Sequence, residues 1–185
     1  MTSPRSLLAL AAAAALTLGL SACTTTISDP PASTPTEDAT STLTLNAPCD
    51  GDEGVTLVVD ASALGEADDA SGTWCVLSTT DLAASDVLAT AGVETEGTTQ
   101  YGDQVVCRVN GEPSASEPVG STEDPSYIES CETMPAAFAY WSLWLKPAGG
   151  TWDYAQEGLS TLTVSPGESL ELLFTLDGAP AAPAA

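Results

Sequence analysis

Large aromatic side chains are concentrated in one short stretch of the sequence. Three of the four tryptophans fall between residues 141 and 152. Rings at this density either pack a sheet against a helix or form a platform for a small ligand, a sugar or a partner loop. Alternation along a strand would send these rings to both of its faces, so we expect at least one to be exposed. The ligand-binding candidates are Tyr140, Trp141, Trp144, Trp152 and Tyr154.

Residues that support nucleophilic catalysis are scarce. The sequence has no histidine, no lysine beside a nucleophile and no serine in a nucleophile-elbow motif. Glycosidase-type chemistry needs two carboxylates about 5 to 9 Å apart, and no pair can be chosen from sequence. We therefore expect that the protein is not an enzyme and that it has neither catalytic residues nor a resident cofactor.

Four cysteines lie in the body of the chain, at Cys49, Cys75, Cys107 and Cys131. An even number in an exported domain indicates two disulfides, with three connectivities open. We favour Cys49–Cys75 with Cys107–Cys131, because each pair brackets one local unit of the chain. A zinc site is the competing interpretation, but the absence of histidine and of CxxC spacing disfavours it, and we expect no metal.

An acidic run, Asp50–Gly54, resembles a fragment of a calcium loop. Ala61 occupies the position where such a loop places its bidentate glutamate. We read the run as an acidic turn before the first strand.

The N-terminus carries the motif of a bacterial lipoprotein. An apolar run ending at Leu20 leads into Ser21, Ala22 and Cys23. This pattern predicts a signal peptide over residues 1–22 and a diacylglycerol on Cys23, which would anchor the chain to the cell membrane on its extracellular side. An uncleaved anchor and an ordinary secretory signal are the alternatives.

The chain is strongly acidic, with a formal net charge of −23 at pH 7. The chain after Cys23 contains 26 acidic residues and only two basic ones, Arg108 and Lys146. Such a charge repels phosphate polymers, so we expect no nucleic-acid partner. The acidity is explained either by a solvated surface or by specific cation binding.

Composition divides the mature chain into three parts. Residues 23–48 are rich in Thr, Ser and Pro and have few large apolar side chains, which predicts a lipidated flexible tether. Residues 49–177 are long enough to form one domain. Residues 178–185, rich in Ala and Pro, predict a loose tail.

Hydrophobic patterning predicts the elements of that domain. Residues 55–59 read as a buried strand with 74–77 as its hairpin partner. A helix follows, capped by Thr80 or Asp81 and ended by Gly92.

The sequence pattern predicts strands in the second half of the domain. Residues 104–109 and 138–145 are strand candidates, and the turn at 165–168 leads into a core strand ending at Leu176. We predict an α+β domain with a β-grasp-like mixed sheet and one main helix. Residues 110–130 form a long loop, interpreted either as a lid tethered by Cys107–Cys131 or as an acidic insertion.

Several short motifs follow one another in the domain: Gly102, Val106–Gly111, Cys131, Met134-Pro135, Ala139–Trp144, Gly150–Tyr154, Gly158 and Pro166–Glu168. Together they resemble the transcobalamin-like C-terminal domain family, over about Gly54 to Phe174. The resemblance implies an exported β-grasp domain that binds a soluble ligand without catalysis. In cobalamin carriers of the family this domain covers one side of a corrinoid, so the resemblance suggests a corrinoid or another cofactor as ligand.

Two functions from different classes follow. The first is a lipoprotein that binds a small soluble ligand for uptake. The second is a protein-interaction module of the cell envelope that uses the aromatic strand or an open sheet edge. A secreted protease inhibitor is a third interpretation, for which no cysteine-framed reactive loop is evident.

Overall fold

Short strands and a single α-helix make up residues 44–65 and 70–184, which are the ones that the computed structural model describes. These residues fall within one unit, Asp38–Ala185. The helix is α1 (Ala84–Ala91), and Ser62–Leu64 form one turn of 3₁₀ helix. The strands are β1 (Thr44–Leu45), β2 (Gly54–Asp60), β3 (Gly72–Leu77), β4 (Leu82–Ala83), β5 (Thr95–Thr98), β6 (Gly102–Val109), β7 (Ala139–Lys146), β8 (Asp153–Tyr154), β9 (Thr163–Val164) and β10 (Ser169–Leu176).

Six strands form the main sheet in the order β1-β3-β2-β10-β7-β8. β2 and β3 are an antiparallel hairpin, and β10 lies between β2, to which it is parallel, and β7, to which it is antiparallel. The fold is therefore α+β with a mixed sheet and one helix in the described part of the chain, as the hydrophobic pattern predicted.

The core face of this sheet is built by period-2 alternation. On β10, Leu170, Leu172 and Phe174 are almost completely buried. The parallel register places Leu170 beside Leu57 of β2, and α1 covers this face with Val87 and other apolar residues. Burial of these side chains contributes about 1.5 to 3 kcal/mol each.

The opposite face, here called the second face, is also covered. Leu173 and Thr175, which point to it from β10, are buried as well. Thr175 donates a hydrogen bond of 2.9 Å to the carbonyl of Pro180, so the chain after β10 folds back across this face. A central strand buried on both faces is expected to carry apolar residues at consecutive positions, as Leu172 and Leu173 do.

The predicted helix is correct, but its predicted N-cap is wrong. Residues 82–83 pair with β9 and are extended, so the helix begins at Ala84, four residues after Thr80 and three after Asp81. The backbone N–H groups of Ala84 and Ser85 donate to carbonyls of the 159–162 segment, which replaces a side-chain cap. Gly92 ends the helix with φ of 73°, as predicted.

Both disulfides have the predicted pairing. Cys49 is bonded to Cys75, and Cys107 is bonded to Cys131. β1 pairs with β3, so the last residues of the segment assigned to the tether supply a strand of the sheet. The signal peptide and Cys23 lie outside the described residues. Across the described ranges, no helix has the length and apolar character needed to span a bilayer.

Candidate functional site

The candidate aromatic residues divide between the two faces of β7. Trp141 is opposite Phe174 of β10 and therefore lies on the core face. Its ring meets that of Phe174 edge to face, with centroids 5.2 Å apart, and its Nε1 donates to the carbonyl of Glu112 at 3.0 Å. Trp141 is 7% exposed. Most of its ring therefore packs in the hydrophobic core.

Trp144 is on the second face and is also buried. Its ring stacks on Tyr154 of β8, with centroids 3.9 Å apart. Its Nε1 donates to Ser142 Oγ at 2.9 Å, and that hydroxyl donates to the carbonyl of Leu173 at 3.1 Å. The indole is thus fixed by packing and by a hydrogen-bond chain, and it is not an exposed platform.

Three of the five predicted residues meet in one depression at the edge of the sheet, here called the edge cleft. Its volume is about 340 Å³, at the small end of the range for ligand pockets. Tyr140 is half-buried and Tyr154 is exposed. Burial raises the pKa of the Tyr154 hydroxyl, and the neighbouring Tyr140 adds to the shift. The lining includes Val106, Met134, Tyr140, Trp141, Leu143 and Tyr154.

The edge cleft lies along an incompletely paired part of β7. β8 pairs with β7 only at Trp144 and Leu145, and Ala155 N–H adds a hydrogen bond to the carbonyl of Leu143. From Ala139 to Ser142, β7 has a strand partner on the β10 side alone among the described residues. Unpaired strand edges of this kind accept additional extended chain.

Trp152 belongs to a different depression, here called the face cleft, on the second face. This cleft has a volume of about 380 Å³. Trp152 donates from Nε1 to the carbonyl of Ala184 at 3.0 Å, and the ammonium of Lys146 lies 5.5 Å from the centre of its ring. The C-terminal residues that we expected to be loose therefore contribute to the wall. The lining includes Cys49, Asp60, Lys146, Trp152, Glu171 and Ala184.

Glu171 is the chemically unusual residue of the face cleft. It lies on the central strand β10, opposite Val58 and Trp144, and is 4% exposed. Burial, with a smaller contribution from the charge of Asp60, raises the pKa of its carboxyl to about 7, and Lys146 opposes the shift. Sequence reasoning missed this residue. The sequence feature that could have identified it is the apolar Leu173, which lies on the same face of β10 and so indicates that this face is covered.

The long loop between β6 and β7 is held by Arg108. This buried guanidinium donates from Nε to the carbonyl of Pro113 at 2.8 Å and from Nη2 to the carbonyl of Glu129. It also forms an ion pair of 2.7 Å with Glu96. The loop residues Glu112–Val119 line a separate depression beside Leu64 and not the edge cleft, so the lid interpretation gains no support from the positions of these residues.

Groups of residues with metal-ligating atoms are accounted for by the disulfides. In the described ranges these groups are Glu53 with Cys49 and Cys75, and Glu96 with Cys107 and Cys131. Each pair of thiols is already bonded, which leaves one carboxylate per group. These groups therefore lack the ligands that a structural metal site needs.

Comparison with protein-family models, with curated proteins and with solved structures finds no match for this chain. The assignment of function therefore depends on the geometry of the clefts and on the sequence motifs.

Proposed function

We propose that this chain is a membrane-anchored extracellular lipoprotein whose domain binds a small soluble ligand in the edge cleft. The main observation in support of this proposal is that Tyr140, Trp141 and Tyr154 line one cleft at the edge of the sheet. These rings offer an apolar surface with hydroxyl groups at its rim, which suits a partly aromatic or glycosidic ligand. The acidic surface disfavours anionic polymers.

The β-grasp interpretation is also part of this proposal. The four longest strands of the main sheet run in the order β3-β2-β10-β7, with the first hairpin preceding the helix and the central pair parallel. This order of hairpin, helix and two returning strands supports a β-grasp topology. It agrees with the resemblance to the transcobalamin-like C-terminal domain family, whose members bind soluble ligands.

The size of the cleft limits the ligand. A volume of about 340 Å³ admits a small molecule or one part of a larger one. A corrinoid is larger than this cleft, so it would insert one edge or side chain and leave most of its surface outside. Haem would also enter only in part.

The test is a ligand screen on the purified chain. Corrinoids, haem, flavins and short glycans are titrated while tryptophan fluorescence and melting temperature are recorded, with calcium as a separate arm. A ligand at a hundredfold excess over its Kd adds about 2.7 kcal/mol to the free energy of unfolding, so a true ligand raises the melting temperature. No saturable response to any compound would contradict the proposal.

Matched variants locate the binding. Tyr154→Ala removes an exposed ring from the edge cleft. Tyr101→Ala removes a ring of similar exposure that lies outside the lining of the edge cleft. We expect the first variant to weaken binding and the second to leave it unchanged. Equal effects would place the ligand elsewhere.

The second candidate function is a protein-interaction module of the cell envelope. The observation that favours it is the unpaired edge of β7 from Ala139 to Ser142, which an extended segment of a partner could join. A photo-cross-linking amino acid in place of the exposed Met134 would report such a partner. One defined adduct from Met134 and none from Tyr101 would support this function.

A further inference from the structure

Glu171 combines near-complete burial with the absence of a hydrogen-bond or ion-pair partner for its carboxyl among the described residues. Its residue exposure is 4%, yet no hydrogen bond or ion pair reaches its carboxyl among the described residues. Buried polar groups are hydrogen-bonded in the great majority of cases, so an exception calls for a physical explanation. A carboxyl without a partner in such a position costs stability.

The fold itself does not require a carboxyl at this position. The cross-strand neighbours of Glu171 are Val58 and Trp144, both of which offer apolar surface. A methionine of similar volume would pack between them without desolvating a polar group. The presence of glutamate therefore indicates a role other than packing.

The carboxyl opens into the face cleft. No side-chain oxygen of the described residues is fully enclosed without a hydrogen bond. The oxygens of Glu171, which have no hydrogen bond, must therefore reach the space that this residue lines. Asp60 lines the same space and is close enough to shift the pKa of Glu171. Two carboxyls thus converge on one cleft.

Part of the wall of the face cleft is the indole of Trp152, which already holds a cation. The ammonium of Lys146 lies 5.5 Å from the centre of the Trp152 ring, which is within the range of a cation–π interaction. Lys146 is not within ion-pair distance of Glu171. The cleft therefore contains an indole that accepts an ammonium group and a carboxyl that feels the charge of Lys146 but has no ammonium group within ion-pair distance.

We propose that the face cleft binds a small organic ammonium ion, with Glu171 and Asp60 as its counter-charges and Trp152 as its aromatic wall. The cleft volume of about 380 Å³ leaves room for a small alkylammonium ligand. The acidic balance of the chain favours the approach of cations. This site is separate from the edge cleft and does not depend on the function proposed for it.

An organic cation fits these residues better than a calcium ion does. Calcium takes six to eight oxygen ligands, whereas the side chains of the face cleft offer two carboxylates and the three hydroxyls of Thr56, Thr73 and Ser169. Aromatic walls next to carboxylates are the usual means of recognising ammonium groups. Lys146 competes with the ligand, because both are cations in the same cleft.

The test is isothermal titration of the purified full chain with butylammonium chloride and with choline chloride. Sodium butyrate serves as the control for the alkyl chain. We expect saturable binding of at least one ammonium probe and none of butyrate. In Glu171→Gln, which has nearly the same shape, we expect binding to be weaker by about tenfold or more, as for a lost charge-assisted hydrogen bond.

Two further variants separate recognition from general effects of charge. Glu132→Gln removes one negative charge at an exposed residue outside the face cleft, and we expect unchanged affinity. Lys146→Gln removes the competing cation, and we expect binding to tighten severalfold.

Several outcomes would overturn the proposal. They are no saturable binding of either ammonium probe, equal binding by Glu171→Gln and the unaltered chain, weaker binding by Lys146→Gln, or calcium binding through Glu171 in place of the ammonium probes. Failure of these titrations would leave the ligand screen on the edge cleft unaffected, because that screen reports on Tyr140 and Tyr154.

Discussion

The ring of Trp144 stacks on that of Tyr154, with their planes inclined by 27° and their centroids 3.9 Å apart. One ring of the pair is buried and the other is exposed. The stack therefore couples the packing of β7 to the surface of the edge cleft, which Tyr154 lines. A ligand that contacts Tyr154 would meet a ring whose orientation is set by a buried neighbour.

Replacing Trp144 should destabilise the fold strongly. Trp144→Ala removes a side chain that is 6% exposed, and we expect a loss of about 3 to 5 kcal/mol in the free energy of unfolding. Trp152→Ala is the matched control, because this indole is half-exposed and should cost about 1 kcal/mol. Urea denaturation measures both. Similar losses for the two variants would contradict the buried role of Trp144.

Titration of Glu171 should make stability fall as the pH rises. Burial raises the pKa of this carboxyl to about 7 in the folded chain, above the ordinary value of 4.5. The folded state thus binds the proton more tightly than the unfolded state does. The stabilising contribution is complete below pH 4.5 and is lost as the pH rises through 7. Melting temperatures between pH 5 and 8 measure this loss.

Glu171→Gln is the control for that pH dependence. The glutamine does not titrate, so the fall in melting temperature between pH 5 and 8 should be smaller in this variant than in the unaltered chain. Asp60 and Lys146, which also face the cleft, remain in both proteins. An identical pH profile for the two proteins would mean that Glu171 does not titrate in this range.

Local patterns predicted most of the sheet and the disulfides. The apolar alternation ending at Leu176 and the short β-branched run before Asp60 have strand periodicity over enough residues to be read without tertiary information. The disulfide pairing followed because each of the two bonds closes a local loop, with sequence separations of 26 and 24 residues.

Features set by distant parts of the chain could not be predicted. The helix begins at Ala84 because residues 82–83 pair with β9, some 80 positions later in the sequence. The burial of Glu171 depends on cover over the second face, including the fold-back that bonds Thr175 to Pro180. Alternation already placed Trp141 and Trp144 on opposite faces of β7, but the cover that buries both of these rings comes from other parts of the chain.

Replacing Cys23 should release the protein from the membrane. Cys23→Ser removes the thiol that would carry the diacylglycerol, and two acyl chains are what make such anchoring stable. We expect the unaltered protein in the membrane fraction and the variant in the soluble extracytoplasmic fraction. Metabolic labelling with a palmitate analogue checks the lipid directly. Membrane association without labelling would indicate an uncleaved anchor.

Removal of Arg108 should loosen the loop between β6 and β7. Arg108→Met leaves the carbonyls of Pro113 and Glu129 without their donor, and we expect a loss of roughly 2 to 5 kcal/mol in the free energy of unfolding. The loop should also become more sensitive to limited proteolysis, although Cys107–Cys131 still closes it.

The matched control for Arg108 is its ion-pair partner. Glu96→Gln removes only the charge of a side chain that is 56% exposed, so its cost should stay below about 1 kcal/mol. Equal losses for Arg108→Met and Glu96→Gln would mean that the ion pair, and not the bonds to the loop carbonyls, holds the guanidinium in place. A large loss for Arg108→Met beside a small one for Glu96→Gln would show that the buried hydrogen bonds of the guanidinium, and not its ion pair, order the loop.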